Sequence, residues 1–264
     1  SRQSDSQYMQ ALRNSDLANK LRQHAVRYDW GHAEVVSDDP TKITRDKSDS
    51  RYHLAPKLAP YFEEVRNELI IFSPYFVPGK AGVTLFSQLR DNGVSVRILT
   101  NSLASTDVGA VHAGYAKYRK ELLRAGVELY EMNGRLRKDE RKGKKGPRDA
   151  SKVSLHTKSF VYDRKHVFIG SLNLDPRSVY QNTEIGVVVS AREIAEGMGT
   201  WFDDNIEQIA FRLELHKRKD GSEGILWHGL VDGEPKTFNV DPYTCFWHRF
   251  GIDLMSLLPI ESQL

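Results

Sequence analysis

Cysteine is nearly absent from this 264-residue sequence: Cys245 stands alone, so no disulfide can form within the chain. Also missing is any run of 18 apolar residues, the length that a bilayer-spanning helix requires. The sequence opens on Ser1 without the basic, apolar and small-residue succession of a secretory leader. A strong overall charge is lacking too, since 38 Lys and Arg face 35 Asp and Glu for a net +3. That small excess is concentrated. Between Arg135 and Lys152 nine basic residues meet three acidic ones, a local +6, so the remainder sums to −3. No aromatic residue interrupts the basic run, which therefore lacks the stacking platforms of a single-strand nucleic-acid site. What is present, 39% hydrophobic and 28% charged residues, is ordinary for a globular chain with ample core.

Hydrophobic spacing divides the chain. Residues 1–28 carry Met9, Leu12, Leu17, Leu21 and Val26 among charges and predict a helix of weak amphipathicity. A short strand over Ala33–Val36 is closed by Asp38-Asp39-Pro40, and polar residues 41–51 predict a loop. Leu54, Leu58, Phe62, Val65 and Leu69 recur every three or four residues, as in a helix lying on a core. Strands at 69–72, 94–100 and 127–131 then alternate with helices at 83–90 and 111–124, and each helix is stopped by glycine, Gly93 and Gly126. Such alternation predicts parallel strands with helices on the sheet faces, an α/β architecture. Beyond it come a valine-rich strand at 184–190, a helix at 194–209 and two antiparallel strands, 211–215 and 225–231, around Lys219-Asp220-Gly221. The aromatic and apolar stretch 243–258 predicts a terminal helix docked on the core, with a membrane-surface helix as the alternative. The basic loop, 134–152, reads either as a solvated connection or as a phosphate-contacting segment.

The most informative stretch lies between. Ser154–Tyr162 alternates like a strand, Asp163-Arg164-Lys165 predicts a turn, and His166–Ile169 a returning strand. Residues two apart in a strand share a face, so His156 and Lys158 project together, whereas Asp163 falls at the turn. Gly170 permits close backbone approach, and Ser171 and Asn173 supply neutral donors. A histidine that can attack phosphorus or carry a proton, a fixed cation and two donors suit phosphoryl transfer. No carboxylate cluster stands beside them in the sequence, which points to chemistry without a metal or other cofactor.

His156-x-Lys158-x4-Asp163 followed by Gly170-Ser171-x-Asn173 resembles the motif of the phospholipase D superfamily. Further elements resemble the C-terminal half of bacterial cardiolipin synthases, the C subgroup in particular. They are Ser37-Asp38-Asp39-Pro40, Ser73–Gly79, Thr100–Leu103, Thr106-Asp107, His112–Tyr115, Asp175-Pro176-Arg177-Ser178 and Asn182-Thr183-Glu184. The resemblance implies a phospholipase D-like α/β/α sandwich, a mixed sheet flanked by helices, forming one lobe of a two-lobe enzyme. It implies a phosphatidyl transferase at the cytoplasmic face of the inner membrane, with phospholipid substrates, an anionic membrane surface as partner and nucleic acid disfavoured. The alternatives are a phosphodiesterase of the same superfamily and a non-catalytic half-domain. In the family one histidine attacks phosphorus and the other serves as acid and base. By this resemblance His156 is the acid and base, Lys158, Ser171 and Asn173 hold phosphate, Glu184 bonds the far nitrogen of His156, and Asp163 completes the motif, grouped with the catalytic residues but with a structural part favoured over contact with substrate.

Of nine histidines only His156 is followed two residues on by lysine. The second motif is therefore expected from an N-terminal lobe or a second copy, with residues 1–32 as a helical link and 33–264 as the C-terminal lobe. Three further residues carry two readings each. Tyr75, after a strand end, binds substrate or belongs to the core; His112 lies at the site mouth or on a helix face; Arg177 meets a second phosphate or ties down its loop.

Overall fold

A computed structural model of the chain describes residues 7–26, 28–135 and 154–256. It divides into two compact units, Ser1–Gly31 and His32–Leu264. In the first, the expected single helix is two short ones, α1 (Gln7–Arg13) and α2 (Asp16–Arg22). Ser15 makes the break: its hydroxyl donates to Leu12 O (2.8 Å) and accepts from Ala18 N (3.2 Å), capping the second helix.

The larger unit is built on a ten-stranded sheet. Its first half runs β1 (His32–Ser37), α3 (Ala59–Glu64), β2 (Glu68–Phe72), α4 (Gly79–Asp91), β3 (Ser95–Asn101), α5 (Gly109–Ala116), α6 (Arg119–Arg124) and β4 (Glu128–Met132). Then follow β5 (Ser159–Tyr162), β6 (His166–Gly170), α7 (Pro176–Tyr180), β7 (Ile185–Ser190) and α8 (Arg192–Ile209). A final group comprises β8 (Ala210–Lys217), β9 (Glu223–Val231), β10 (Glu234–Phe238) and α9 (Phe246–Ser256). The strand order is β1-β7-β6-β5-β2-β3-β4-β8-β9-β10. Among the described strands only β2, β3 and β4 pair in parallel, through the helical crossovers that the alternation predicts.

Apolar residues on both strand faces make three layers. Leu69 and Ile71 of β2 and Phe160 and Tyr162 of β5 point to a core shared with Phe86, Leu89, Tyr115 and Leu122 of α4, α5 and α6. Their neighbours Ile70, Phe72 and Val161 point the other way, toward Ala195, Phe202 and Ile206 of α8. This is an α/β/α sandwich with a mixed sheet. Gly93 and Gly126 end their helices with φ of 84° and 81°, the left-handed region that glycine enters at no steric cost.

Several elements differ from the sequence reading. The helix expected over 54–69 is a 3₁₀ turn, Ala55–Leu58, followed by the short α3, with Leu69 already in β2. Pro56 and Pro60 lack an N–H and are tolerated only in first turns, so no continuous helix can pass through both. The helix expected over 111–124 breaks at Lys117-Tyr118, where Tyr118 N reaches back three residues to Tyr115 O. An additional edge strand, β10, was hidden by its proline and charges. Helix α9 docks through Ile252 onto Leu103 and Ala113, while Phe246, Trp247, Phe250 and Leu254 remain exposed. Of the basic loop only Gly134 and Arg135 are described, the Arg135 guanidinium lying 4.5 Å from the Tyr243 ring centroid. The rest of that loop lies outside the described residues. Among the described residues no helix is long and apolar enough to cross a membrane.

Candidate active site

Strand direction gathers the motif residues at one edge. Because β5 runs antiparallel to β2, the residues preceding β5 lie beside the segment leaving β2. Antiparallel β6 brings its own end, Gly170-Ser171, to the same edge, and antiparallel β7 brings its beginning, Glu184-Ile185. That edge also receives the loops after parallel strands β2 and β3, where sites form in open α/β sheets. There a cavity of about 480 Å³ is lined by His156, Thr157, Lys158, Ser159, Ile169, Gly170 and Ser171.

His156 is exposed and Lys158 half-buried, and they share this cavity as residues two apart should. The strand expected from Ser154, however, begins only at Ser159, opposite Phe72, the last residue of β2. Residues 154–158 lie past the end of their neighbour, so no ladder holds them on that side. Lys158 Nζ donates to His156 O at 3.0 Å. Burial lowers the Lys158 pKa, against the opposing pull of Glu184, Asp175 and Asp107. These three carboxylates come from separate loops, so the sequence alone shows none of them beside Lys158.

Gly170 faces Gly186 across the ladder. A Cβ at Gly170 would lie 2.6 Å from Ile185 O and 2.7 Å from the Phe168 ring, so this crossing requires glycine. Ser171 is thereby pressed onto β7. Its hydroxyl donates to Glu184 Oε2 and accepts from Ile185 N at 3.1 Å. Glu184 is buried and its Oε1 accepts from Asn182 Nδ2 at 3.2 Å. The expected Glu184–His156 bond is therefore not formed in this structure: Ser171 and Asn182 hold the carboxylate. Asn173 is buried with Nδ2 3.4 Å from Ser178 Oγ and with an unpartnered Oδ1.

Asp163 sits at the opposite end of β5, about 23 Å of extended chain from His156. Its carboxylate accepts from the backbone N–H groups of Arg66 (2.9 Å), Asn67 (2.7 Å) and Glu68 (2.8 Å). Burial pushes its pKa up, but those three bonds and Lys165 outweigh burial and hold it below the ordinary value. It organises the entry to β2 and does not touch the cavity, a correction to its grouping with the catalytic residues.

The three further candidates separate. Tyr75 OH donates to Asp107 Oδ1 at 2.8 Å, and burial together with that bond pushes its pKa up to about 12. Asp107 and Asp175 act on both Tyr75 and Lys158, but Tyr75 is not among the residues lining the cavity. Arg177 is exposed, its Nε 3.4 Å from Asn182 Oδ1, so it ties the loop to the residue that bonds Glu184. His112 is only 2% exposed and cannot touch a substrate as it stands. It faces Asp241 at 3.5 Å inside a cluster with Glu131 and Arg119. Arg119 lies 2.9 Å from Asp241 and 3.2 Å from Glu131, so an arginine already supplies the cation there.

Residues that carried no assigned role prove central to the geometry. Buried Asp38 accepts from Glu184 N (2.7 Å), Leu54 N (2.5 Å) and Lys42 Nζ (2.8 Å), and Lys42 also donates to Ser178 O (3.1 Å). Lys42 lies in the segment read as a polar loop, yet it is buried. Ser73 Oγ accepts from Leu174 N at 3.1 Å, holding the Gly-Ser-x-Asn turn. Of these only Ser73 carries a sequence signal, a small polar residue directly after the buried apolar run of β2, the position where a strand delivers its end to a site.

Comparison with known proteins places this geometry in context. The family described as "Cardiolipin synthase, PLD-like domain" matches residues 59–206. Cardiolipin synthase C of Escherichia coli (strain K12) is 37% identical over 258 residues, covering 97% of this chain and 53% of that protein. An uncharacterized protein of Helicobacter pylori (strain ATCC 700392 / 26695) is 29% identical over 254 residues, covering 95% and 47%. The chain thus spans about half the length of the curated relatives it matches. Among solved structures, the phosphatidylserine synthase of Haemophilus influenzae Rd KW20 superposes with a TM-score of 0.50 at 14% identity, over 69% of this chain and 40% of that one.

Proposed function

This chain belongs to the cardiolipin synthase, phospholipase D-like domain family, and on that premise we propose that it is the C-terminal lobe of a phosphatidyl transferase. The observation that carries the reading is the cavity with a single histidine at its wall, beside Lys158 and Ser171. In-line displacement at phosphorus needs a nucleophile on one side and an acid on the other, and one imidazole cannot stand on both. On this reading a second lobe supplies the attacking histidine. It forms an N–P bond while His156 protonates the leaving alkoxide, then His156 takes the proton of the incoming hydroxyl, whose oxygen displaces the first histidine.

Lys158 offsets the phosphoryl charge, and its lowered pKa reflects a site already partly dry. The single proton of Ser171 faces Glu184, with Ile185 O as a second acceptor at 3.3 Å. For Ser171 to donate to a phosphoryl oxygen, Glu184 must exchange it for another donor. His156 is that donor on this reading, through the nitrogen not used for proton transfer. The enzyme acts at the membrane surface as a peripheral protein, with phospholipids as donor and acceptor.

The test is turnover of phosphatidylglycerol vesicles by the full-length protein, with His156→Ala beside it. Cardiolipin should form, and the variant should lose about 10²–10⁴-fold in rate without loss of fold by circular dichroism. Release of phosphatidic acid alone would make water the acceptor and the protein a phosphodiesterase. Near-normal turnover by His156→Ala would remove this cavity from the chemistry.

A further inference from the structure

The segment carrying His156 leaves the sheet before it reaches the site, and something other than a strand must hold it. Residues 154–158 extend beyond β2, whose ladder with β5 ends at Phe72 and Ser159. On the opposite side Gly170 N donates to Lys158 O at 3.1 Å, which fixes the last residue of the segment. Leu155, directly before His156, is held by a side chain instead. Asn101 Oδ1 accepts from Leu155 N at 2.9 Å, and Asn101 Nδ2 donates to Leu155 O at 3.2 Å.

An amide side chain that meets both the N–H and the C=O of one residue reproduces one rung of a β-ladder. The rest of the amide is occupied as well. Oδ1 also accepts from Ser105 Oγ (3.1 Å) and Ser154 Oγ (3.4 Å), and Nδ2 also donates to Pro74 O (3.3 Å). Facing one N–H and two carbonyls, the amide has one orientation that satisfies them all. Asn101 is 3% exposed and Ser105 fully buried, so water cannot stand in for these bonds.

The same side chain joins the parts of the site. Pro74 precedes Tyr75, and Ser73 grips Leu174, the residue after Asn173. We propose that Asn101 is a positioning residue for the transfer reaction, acting as a one-residue strand that sets the backbone of Leu155 and through it the place of the His156 ring. The proposal rests on the transferase reading for its kinetic consequence, and on geometry alone for the backbone it holds.

Asn101→Asp is nearly isosteric and tests it most sharply. Its second oxygen would face the carbonyls of Pro74 and Leu155, with no donor left. The groups facing position 101 are these carbonyls, Leu155 N and the hydroxyls of Ser105 and Ser154, none of which titrates near neutrality. Protonation of the introduced carboxyl would restore one donor. In the full-length protein at neutral pH, kcat should fall about 10²-fold, the scale of a 1 Å misplacement, with KM within about 3-fold. The ratio of variant to wild-type kcat should recover as pH is lowered, and Asn101→Ala should show the loss without the recovery. Amide hydrogen exchange at Leu155 should quicken about 10-fold or more in both.

Ser105→Ala, which removes one bond to Oδ1 and no bond to Leu155, should show a smaller loss in the same direction and guards against variants that do not fold. Wild-type kcat in the folded variants, or a kcat loss with unchanged Leu155 exchange, would overturn the proposal. If the wild-type protein turns over no phospholipid, the transferase reading fails, and Leu155 exchange together with the His156 ring resonances still decides the clamp.

Discussion

Replacing Asp163 with asparagine removes one charge at almost constant volume, and the structure says what that should do. The carboxylate holds three backbone N–H groups at the entry to β2, at 2.7–2.9 Å. Net contributions near 1 kcal/mol per bond are reasonable where the donors are partly solvated. Asparagine keeps a carbonyl oxygen for Asn67 and Glu68 but turns an NH₂ toward Arg66, which predicts a loss of about 1–2 kcal/mol. Alanine loses all three acceptors. It must also hold φ at 49°, where Asp and Asn are tolerated and alanine costs about 1–2 kcal/mol. The Asp163→Ala loss should then be about 3–5 kcal/mol, or roughly 6–20 °C in Tm for a domain of this size.

The pH dependence has a definite sign. Asp163 titrates below its unfolded value, so its contribution is fully present above about pH 4 and is lost as pH falls through the folded pKa. The gap in stability between wild type and Asp163→Asn should therefore be constant from pH 5 to 8 and close below pH 4. Thermal melts followed by circular dichroism measure it. Turnover by the full-length variants, measured well below their melting points, should stay within about 3-fold of wild type, since Asp163 lies at the far end of β5. An Asp163→Asn protein with unchanged Tm and turnover reduced 10²-fold would refute this and return the carboxylate to the chemistry.

Turnover should survive EDTA once the effect of the chelator on vesicle packing is controlled. Around Lys158, Asp107 is bonded by Tyr75, Asp175 by Ser178 N and Glu184 by Ser171 and Asn182. Loss of activity restored by one divalent metal would defeat that expectation. Neutralising Arg141, Lys142, Lys144 and Lys145 together, in the basic loop outside the described residues, should weaken binding to anionic vesicles. At roughly 1 kcal/mol per basic residue near a charged bilayer the loss should reach 10²–10³-fold at low salt and shrink as salt screens it. Unchanged binding would leave the loop a solvated connection.

Much of the fold was legible because periodicity reports burial. The run Leu69-Ile70-Ile71-Phe72 is apolar at every position because helices cover both faces of its sheet, and the glycines after α4 and α6 mark their ends. Where periodicity misled, a local backbone rule won. Proline divided the apolar repeat at 54–69, and the Ser15 cap divided the N-terminal one. His112 shows the limit for single residues: a histidine among helix residues looks the same from sequence whether it faces a cleft or, as here, is 2% exposed beside Asp241.

The candidate site was legible in its side chains and not in what holds them. His156, Lys158 and Ser171 share a cavity because alternation and an antiparallel turn bring them there, and both are local. The bonds that fix them are long-range: Asn101 to Leu155 spans 54 positions, Ser73 to Leu174 101 and Asp38 to Glu184 146. No spacing rule reaches that far. The one local expectation that fails is the informative one. Alternation at Ser154–Tyr162 predicts a strand, but alternation cannot distinguish a segment in a ladder from one that has outrun its neighbour, and the strand here begins only at Ser159. Past Phe72 the segment loses that partner. A buried amide can replace the missing rung at Leu155 without covering His156. A site that needs a fixed backbone and an open side chain is met by starting the strand only at Ser159 and clamping the segment before it from the side.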